Sequence, residues 1–345
     1  MENLIPSSNL KLMRSCYITT LLYFRLSDLS LIKIYNKHIS HYQIIILNSY
    51  ITSLYLISGS WDGTVNVYKL SNFELTSTII CDKKFVCSVA VHDYYIISGT
   101  LSGLIQFWNT LDNYNLVGTV SSRNTKGVFG LVTMNHSLIS VSEDGKICRW
   151  RIADILEGKS SLLCIETEVD AHNEYIYSVC CCSNFYLFTG GGDKIVKIWD
   201  VSSSTKITLI TSIALTNPIK TLAVKGVYLF VGIDFTSVFI YNIRDNFQMF
   251  REIQSNHSGS IVSLCVWENH LITAGLDAQI IITNWETNEI VRKIKSGHIP
   301  RSLCIKNGCL FVGMNDNTIK VIDMAQSYSL VRTLKDHKLP IKCLI

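Results

Sequence analysis

The sequence predicts an all-β β-propeller, most simply with seven blades, and three observations support this. A unit of roughly 40 residues recurs along the 345-residue chain. Within each unit apolar and polar residues alternate over roughly five to six positions, which is typical of antiparallel strands. No helical periodicity of useful length is present. Because 48% of the residues are hydrophobic and 17% are charged, general disorder is excluded and a large core is expected.

The repeat is measured most easily at the end of its alternating strand. The copies end at positions 68, 108, 150, 199, 241, 283 and 322, so the steps are 40, 42, 49, 42, 42 and 39 residues. A propeller blade repeats about every 40–45 residues, and seven copies account for the chain without a second domain. We therefore expect an N-terminal segment over 1–40 that supplies a closing strand, a propeller over 41–334 and a partial extra repeat over 335–345.

The closure of the ring has two interpretations. Residues 340–345 copy residues 218–223, so the chain stops partway into a further first strand. Either an N-terminal strand closes a seven-bladed ring, or residues 16–35 and the C-terminal strand build an eighth blade. Seven blades are favoured because only 23 residues separate Tyr35 from Ser58, which hardly accommodates two further strands. Closure matters because an open ring leaves two exposed sheet edges.

The copies also share a motif, which reads FTGGGDKIVKIWD at residues 188–200 and ISGSWDGTVNVY at residues 57–68. A strand ends in Ser or Thr and a small residue, a tight turn with Asp or Gly follows, and the next strand ends in an aromatic residue. Trp199-Asp200 is the only intact Trp-Asp pair. On these motifs residues 41–334 resemble the WD40 repeat family, which implies a WD40 β-propeller.

The resemblance also implies a buried network of His, Ser or Thr, Asp and Trp in each blade. Two sets have spacings of 17, 4 and 6 residues: His172, Thr189, Asp193 and Trp199, and His41, Ser58, Asp62 and Tyr68. Partial sets are His257, Thr273 and Asp277, and Asp144 with Trp150. A buried aspartate needs hydrogen-bond donors, because desolvation is costly without them. Since the pattern repeats from blade to blade, we interpret it as structural, not catalytic.

The expected function is a non-catalytic scaffold that binds proteins or peptides through one face of the propeller. No GxSxG, P-loop or HExxH motif is present, and no cofactor is predicted. In WD40 proteins one face binds through residues beside the tight-turn Asp and near the start of each first strand. The matching candidates are Trp61, Phe85, Leu101, Glu143, Tyr175, Ile176, Leu276 and Asn315. Trp and Tyr are favoured anchors at protein interfaces.

An alternative function is a substrate receptor subunit of a cullin-type ubiquitin ligase. Such WD40 receptors often carry an Arg two residues beyond the Trp-Asp pair, but Ser202 stands there in the intact copy. Arg244 occupies that position after Tyr241, without the Trp-Asp pair. The short connection between the first two strands resembles the WD40 domains of F-box, TRAF-type ring-finger and myosin-kinase proteins.

Charge, hydropathy and cysteine usage narrow the partners and the compartment. The formal net charge of +4 gives no electrostatic case for nucleic acid, and no apolar stretch reaches the roughly 18 residues of a membrane span. The twelve cysteines include no CxxC pair, so we predict no metal site. Buried, reduced thiols indicate a cytoplasmic protein, with the nucleus as the alternative and membership of a multiprotein complex as an expectation.

Overall fold

The computed structural model describes residues 54–82, 84–121, 126–134, 136–159, 165–183, 185–203, 206–234 and 237–345. These residues form strands almost throughout, and the one helix among them is α1 (Ile152–Leu156). The strands are β1 (Tyr55–Ser60), β2 (Thr64–Lys69), β3 (Glu74–Ile80), β4 (Val86–His92), β5 (Tyr95–Thr100), β6 (Leu104–Asn109), β7 (Asn115–Ser121), β8 (Val128–Met134), β9 (Ser137–Ser142), β10 (Lys146–Arg151), β11 (Ile165–Asp170), β12 (Ile176–Cys182), β13 (Tyr186–Gly191), β14 (Ile195–Asp200), β15 (Thr208–Ala214), β16 (Ile219–Lys225), β17 (Tyr228–Ile233), β18 (Ser237–Asn242), β19 (Gln248–Gln254), β20 (Ile261–Trp267), β21 (His270–Gly275), β22 (Gln279–Asn284), β23 (Glu289–Lys295), β24 (Pro300–Lys306), β25 (Cys309–Met314), β26 (Ile319–Asp323), β27 (Ser329–Leu334) and β28 (Ile341–Leu344).

Within the described residues the strands form seven four-stranded antiparallel sheets, which confirms the seven-bladed propeller. Blade 1 has the order β28-β1-β2-β3, and blades 2 to 7 are the meanders β4–β7, β8–β11, β12–β15, β16–β19, β20–β23 and β24–β27. The innermost strands contact one another in succession, and β28 contacts both β24 and β4. The ring is therefore closed through blade 1.

Burial follows the position of a strand in its blade. The second strand of a blade is buried almost throughout, as in β13, because neighbouring blades cover both faces of the sheet. The outer strand lies at the rim and is largely exposed, as in β23. Between blades 4 and 5, Phe188, Val196 and Ile198 pack against Ile219 and Leu222 of the next inner strand. The alternation in the sequence thus places the core between the sheets.

The tight turn between the second and third strands requires a left-handed backbone. Gly63, Gly103 and Gly145 adopt φ of 80°, 84° and 79° there. A Cβ on Gly145 would lie 2.1 Å from the His172 carbonyl oxygen, so a side chain has no room at this position. At the equivalent position of blade 4, Lys194 adopts a φ of 66°.

The C-terminal strand completes the first blade. Ser58 pairs with Leu344 and Gly59 with Cys343, and Ile57 and Ile345 exchange two backbone hydrogen bonds of 2.9 Å. Residues 335–345, predicted to be a partial extra repeat, therefore belong to the propeller, and the predicted boundary at 334 is wrong. The closing strand predicted over 1–40, and the strands of an eighth blade over 16–35, lie outside the described residues.

Candidate interaction face and the polar networks behind it

The blade 4 network joins its four predicted residues, as expected. His172 Nδ1 lies 2.9 Å from both carboxylate oxygens of Asp193, and His172 Nε2 lies 2.8 Å from Thr189 Oγ1. The Trp199 indole donates to Thr189 Oγ1 at 2.9 Å. Burial lowers the pKa of His172. A neutral imidazole with its proton on Nδ1 therefore satisfies every group, because it donates to the carboxylate and accepts from the hydroxyl.

Blade 6 repeats three members of this network. His257 Nδ1 lies 2.9 Å from Asp277 Oδ1, and His257 Nε2 lies 3.0 Å from Thr273 Oγ1. Burial raises the pKa of the Asp277 carboxyl, but hydrogen bonds from the Ser258 backbone and His257 outweigh it and hold the pKa below its ordinary value. The Trp285 indole donates to the Glu268 carbonyl instead of to the hydroxyl. The network of blade 6 thus lacks its aromatic end.

The network of blade 1 differs from the prediction in its histidine. The predicted residue, His41, lies outside the described residues. The histidine of this blade is His337: its Nε2 lies 2.7 Å from Ser58 Oγ, and its Nδ1 lies 3.0 Å from Asp62 Oδ2. Burial raises the pKa of Asp62, but hydrogen bonds from His337, Thr64 and the Lys338 backbone hold it well below its usual range. Tyr68 is buried, and burial raises the pKa of its hydroxyl.

Blade 2 contains a variant that the sequence prediction missed. Cys81 Sγ lies 3.4 Å from Ser98 Oγ, which also accepts a hydrogen bond of 3.0 Å from the Trp108 indole. Cys81 lies 17 residues before Ser98, the spacing of the histidine in complete sets, and this spacing was the signal that could have identified it. Burial raises the pKa of the Cys81 thiol to about 11, so it is a thiol at neutral pH.

Blades 3 and 7 retain only parts of the network. In blade 3 the Trp150 indole donates to Ser140 Oγ at 2.7 Å, while Asp144 accepts from its own turn, including the Lys146 backbone at 3.3 Å. In blade 7 the side chain of His298 is 63% exposed and approaches Asp316 only to 3.8 Å. The contact between His298 and Asp316 in blade 7 is therefore loose.

The candidate partner-binding residues lie at one end of the ring because one backbone hydrogen bond recurs in every blade. The residue before the tight-turn Asp position donates its N–H to the carbonyl before an inner strand, at 2.8 to 3.0 Å. The donors are Trp61, Leu101, Glu143, Gly192, Asp234, Leu276 and Asn315, and the acceptors are Pro340, Phe85, Gly127, Tyr175, Pro218, Ser260 and Ile299. We call the surface formed by these residues the turn face. The prediction omitted Gly192 and Asp234, which occupy the same position.

Four candidates are exposed large apolar side chains on the turn face. Their exposed fractions run from 38% to 44%, and they are Phe85, Leu101, Tyr175 and Leu276. Trp61 is partly exposed and stacks on Phe85, with ring centroids 5.3 Å apart. These side chains provide an aromatic and apolar surface over blades 1, 2, 4 and 6.

The remaining candidates behave differently. Ile176 is 0% exposed and packs in the core with Leu187, so its prediction as a binding residue is wrong. It begins the inner strand next to a register shift, and its side chain enters the space between blades. Glu143 and Asn315 are half-buried: Glu143 Oε2 accepts from the Gly127 N–H at 3.4 Å, and Asn315 Oδ1 accepts from Arg301 Nε at 3.2 Å.

The inner strands also surround a central channel that the sequence prediction did not describe. It encloses a cavity of about 260 Å³, whose lining includes Phe129, Tyr177, Arg301 and Lys342. In the sequence, the position that lines the channel is the second residue of each inner strand. This position recurs with the repeat, but its residue type changes from copy to copy. Within the described residues no group of three or more His, Cys, Asp or Glu side chains is placed to hold a metal ion.

Two other observations concern the predicted compartment and the alternative function. No helix in the described part of the chain is long and apolar enough to cross a membrane. Ten cysteines lie in these ranges, and none of them forms a disulfide with another of the ten. Arg244 is exposed beyond the end of β18, and the location, the complex membership and the ligase role all stay predictions.

Comparison with known proteins identifies the repeat. A family model described as "WD domain, G-beta repeat" matches residues 37–69 and 163–200. Similar relatives are myosin heavy chain kinases C and B of Dictyostelium discoideum, 33% identical over 78 residues and 40% identical over 60. These matches cover 22% and 17% of this chain but only 10% and 8% of the kinases. Zinc finger CCCH domain-containing protein 17 of Oryza sativa subsp. japonica is 23% identical over 150 residues, which are 43% of this chain and 32% of that protein.

Solved structures share the fold. The WD40 β-propeller domain of Doa1 superposes with a TM-score of 0.64 at 19% identity, covering 77% of this chain and 88% of that domain. The computationally designed Ika8 protein gives a TM-score of 0.64 at 18% identity, covering 84% of this chain and 86% of the designed one. At these identities the likeness concerns the fold alone.

Proposed function

The chain belongs to the WD40 repeat family, and from that premise we propose that it is a non-catalytic scaffold that binds a protein partner on the turn face. WD40 propellers are generally protein-interaction scaffolds. The observation that carries the choice of face is the stack of the partly exposed Trp61 on the exposed Phe85, with ring centroids 5.3 Å apart. Exposed aromatic side chains of this kind are typical anchors of protein interfaces.

The surroundings of the stack support the same face. The Arg301 guanidinium lies 5.6 Å from the centroid of the Trp61 ring, so the stack has a cationic neighbour. Farther round the ring, Phe129 contacts Tyr175 at 6.4 Å between ring centroids. Trp, Tyr and Arg are the residue types enriched among interface residues that contribute most to binding. A partner with apolar and acidic side chains would be complementary to this surface.

The fold leaves these side chains free to bind. The hydrogen bond that fixes Trp61 to the ring is made by its backbone, 3.0 Å from the Pro340 oxygen, and so is that of Leu101 to Phe85. Truncating the side chains therefore leaves the seven-bladed frame intact. This separation of frame and surface makes the proposal testable.

We test the proposal with Trp61→Ala and Phe85→Ala in the full chain. Each variant is expected to lose at least about tenfold in affinity for a partner recovered by affinity purification, because truncating a central interface anchor costs about 2 kcal/mol or more, and about 1.4 kcal/mol is tenfold. Thermal melting is expected to stay nearly unchanged. The measurement is quantitative pull-down with mass spectrometry, followed by calorimetry with the purified partner.

The matched control is Phe185→Ala. Phe185 is 58% exposed in the turn between β12 and β13, at the opposite end of the blade. This control is expected to bind the partner as the unmodified chain does. If Phe185→Ala and Phe85→Ala lose the same partner equally, the turn face is not the binding surface. If Trp61→Ala and Phe85→Ala unfold, the stack is structural.

A further inference from the structure

The channel end near the turn face carries an unbalanced positive charge. The second residue of each inner strand lies at this level of the ring, and the seven residues are Cys87, Phe129, Tyr177, Lys220, Val262, Arg301 and Lys342. Three of the seven are cationic and none is acidic. They come from blades 5, 7 and 1, so they approach one another only because the ring is closed.

The three cations differ in what neutralises them. Lys220 Nζ lies 3.6 Å from Asp234 Oδ2 and 4.2 Å from the centroid of the Tyr177 ring. Arg301 donates to the neutral Asn315 amide oxygen at 3.2 Å. Among the described residues, the Lys342 ammonium makes no hydrogen bond or ion pair. Two of the three positive charges therefore lack a carboxylate.

These two positive charges lie in the lining of the central channel. Arg301 and Lys342 both line the channel cavity of about 260 Å³, and no Asp or Glu among the described residues lines it with them. Burial lowers the pKa of Lys342, and the nearby Arg301 and Lys220 lower it further. Burial also lowers the pKa of Arg301. A cleft lined by charges of one sign attracts counter-ions.

We propose that the channel binds a phosphate group between Arg301 and Lys342. The charge count favours phosphate over a carboxylate, because a phosphate monoester carries about −1.5 to −2 at neutral pH and matches two cations. Arg binds phosphate through two parallel hydrogen bonds, and Lys binds it as a point charge. The phosphate group comes either from a phosphorylated partner side chain or from a free anion.

The inference goes beyond the docking of a protein partner, since the site would bind the anion alone. The first measurement uses the full chain and inorganic phosphate, with sodium chloride added to hold the ionic strength constant. A saturable rise in melting temperature is expected, because a ligand that binds only the folded state stabilises it. Isothermal titration calorimetry gives the affinity, and acetate under the same conditions is expected to bind more weakly.

Variants then assign the site. Lys342→Gln and Arg301→Gln are each expected to weaken phosphate binding about tenfold, because a hydrogen bond to a charged group is lost. Lys225→Gln is the matched control, since Lys225 is exposed at the other end of the strand that carries Lys220, and it is expected to leave the affinity unchanged. Lys342→Gln is expected to fold, because it removes a buried charge without breaking an ion pair.

Three outcomes decide the proposal. Binding of inorganic phosphate that Lys342→Gln weakens about tenfold supports the proposal. A phosphoserine tripeptide that binds more tightly than both phosphate and the serine tripeptide assigns the source to a phosphorylated side chain. No saturable shift above the chloride control overturns it, as does a Lys342→Gln variant with unchanged affinity. Since no partner is needed, failure here is distinct from failure of the Trp61 and Phe85 test.

Discussion

Blades 4 and 1 contain the same polar network but assemble it from very different stretches of chain. In blade 4, His172 lies 17 residues before Thr189, at 2.8 Å from the hydroxyl. In blade 1, His337 lies 279 residues from Ser58 and yet 2.7 Å from its hydroxyl. The distances from histidine to aspartate are 2.9 and 3.0 Å. The comparison shows that the network belongs to the blade and not to the order of the chain.

The two blades differ in how an inner strand is bonded to a neighbouring blade. Ser178 Oγ in blade 4 accepts from the Leu222 N–H of blade 5 at 3.0 Å, and Ser263 of blade 6 accepts from Leu303 of blade 7 at 3.1 Å. At the junction of blades 7 and 1, the buried Ser302 hydroxyl has no hydrogen-bond partner among the described residues. Blade 1 thus matches blade 4 in the contacts of its histidine and is less well bonded at its side.

The largest effect is expected when the C-terminal strand β28 is removed from blade 1. A chain truncated after Asp336 loses His337 and the fully buried Ile341. We expect a loss of about 4 kcal/mol or more in the free energy of unfolding, because a buried side chain, a ladder and a network partner disappear together. Urea denaturation followed by tryptophan fluorescence measures it. An unchanged midpoint would show that β28 does not stabilise the ring.

A smaller effect is expected when only the histidine is changed. His172→Gln and His337→Gln should each lower the free energy of unfolding by about 1–3 kcal/mol, because a buried carboxylate loses a donor. His298→Gln is the control, since that side chain is 63% exposed, and its effect should stay within about 0.5 kcal/mol. A His337 variant as harmless as the control would mean that blade 1 does not use its network.

The smallest expected effect is on the pH dependence of stability. Burial lowers the pKa of His172, and hydrogen bonds lower those of Asp62 and Asp277 despite their burial. In the unfolded chain these groups titrate near about 6.5 for His and 3.9 for Asp. The folded groups bind protons less readily, so stability is complete above those values and falls with decreasing pH. As the pH falls, protonation of His172 lowers the stability first, below about pH 6.5. Protonation of the aspartates lowers it further below about pH 4.

Urea denaturation over this pH range checks the assignment. His172→Gln should flatten the upper part of the curve, which reports on blade 4. Asp62→Asn should flatten the acid part, which reports on blade 1. Stability that rises as the pH falls through either window would contradict the assignment.

The repeat made the fold predictable from the sequence. Seven copies of one period predict radially repeated sheets. The spacing from the histidine to the hydroxyl residue located the networks, and it is 17 residues in blade 4 and 16 in blade 6. The error at His41 has a physical cause: a spacing rule follows the chain, whereas closure of the ring brings a residue from the far end of the sequence. The copy of residues 218–223 at 340–345 was the signal for that closure.

Side-chain direction was less predictable than strand position. Ile176 and Tyr175 are neighbours, but one is buried between blades and the other is 44% exposed, because the register shifts beside Ile176. The cations of the channel were also missed. Lys220, Arg301 and Lys342 belong to different copies and follow no motif, so only the closed ring shows that they are close.

The use of β28 in blade 1 has a consequence for biosynthesis. Until translation has passed Leu344, β1 has no neighbour on its inner side, although it is among the first strands of the propeller to be made. Such an unpaired edge is prone to associate with other chains. On the nascent chain, the inner edge of β1 therefore waits for the last strand of the propeller before it can pair.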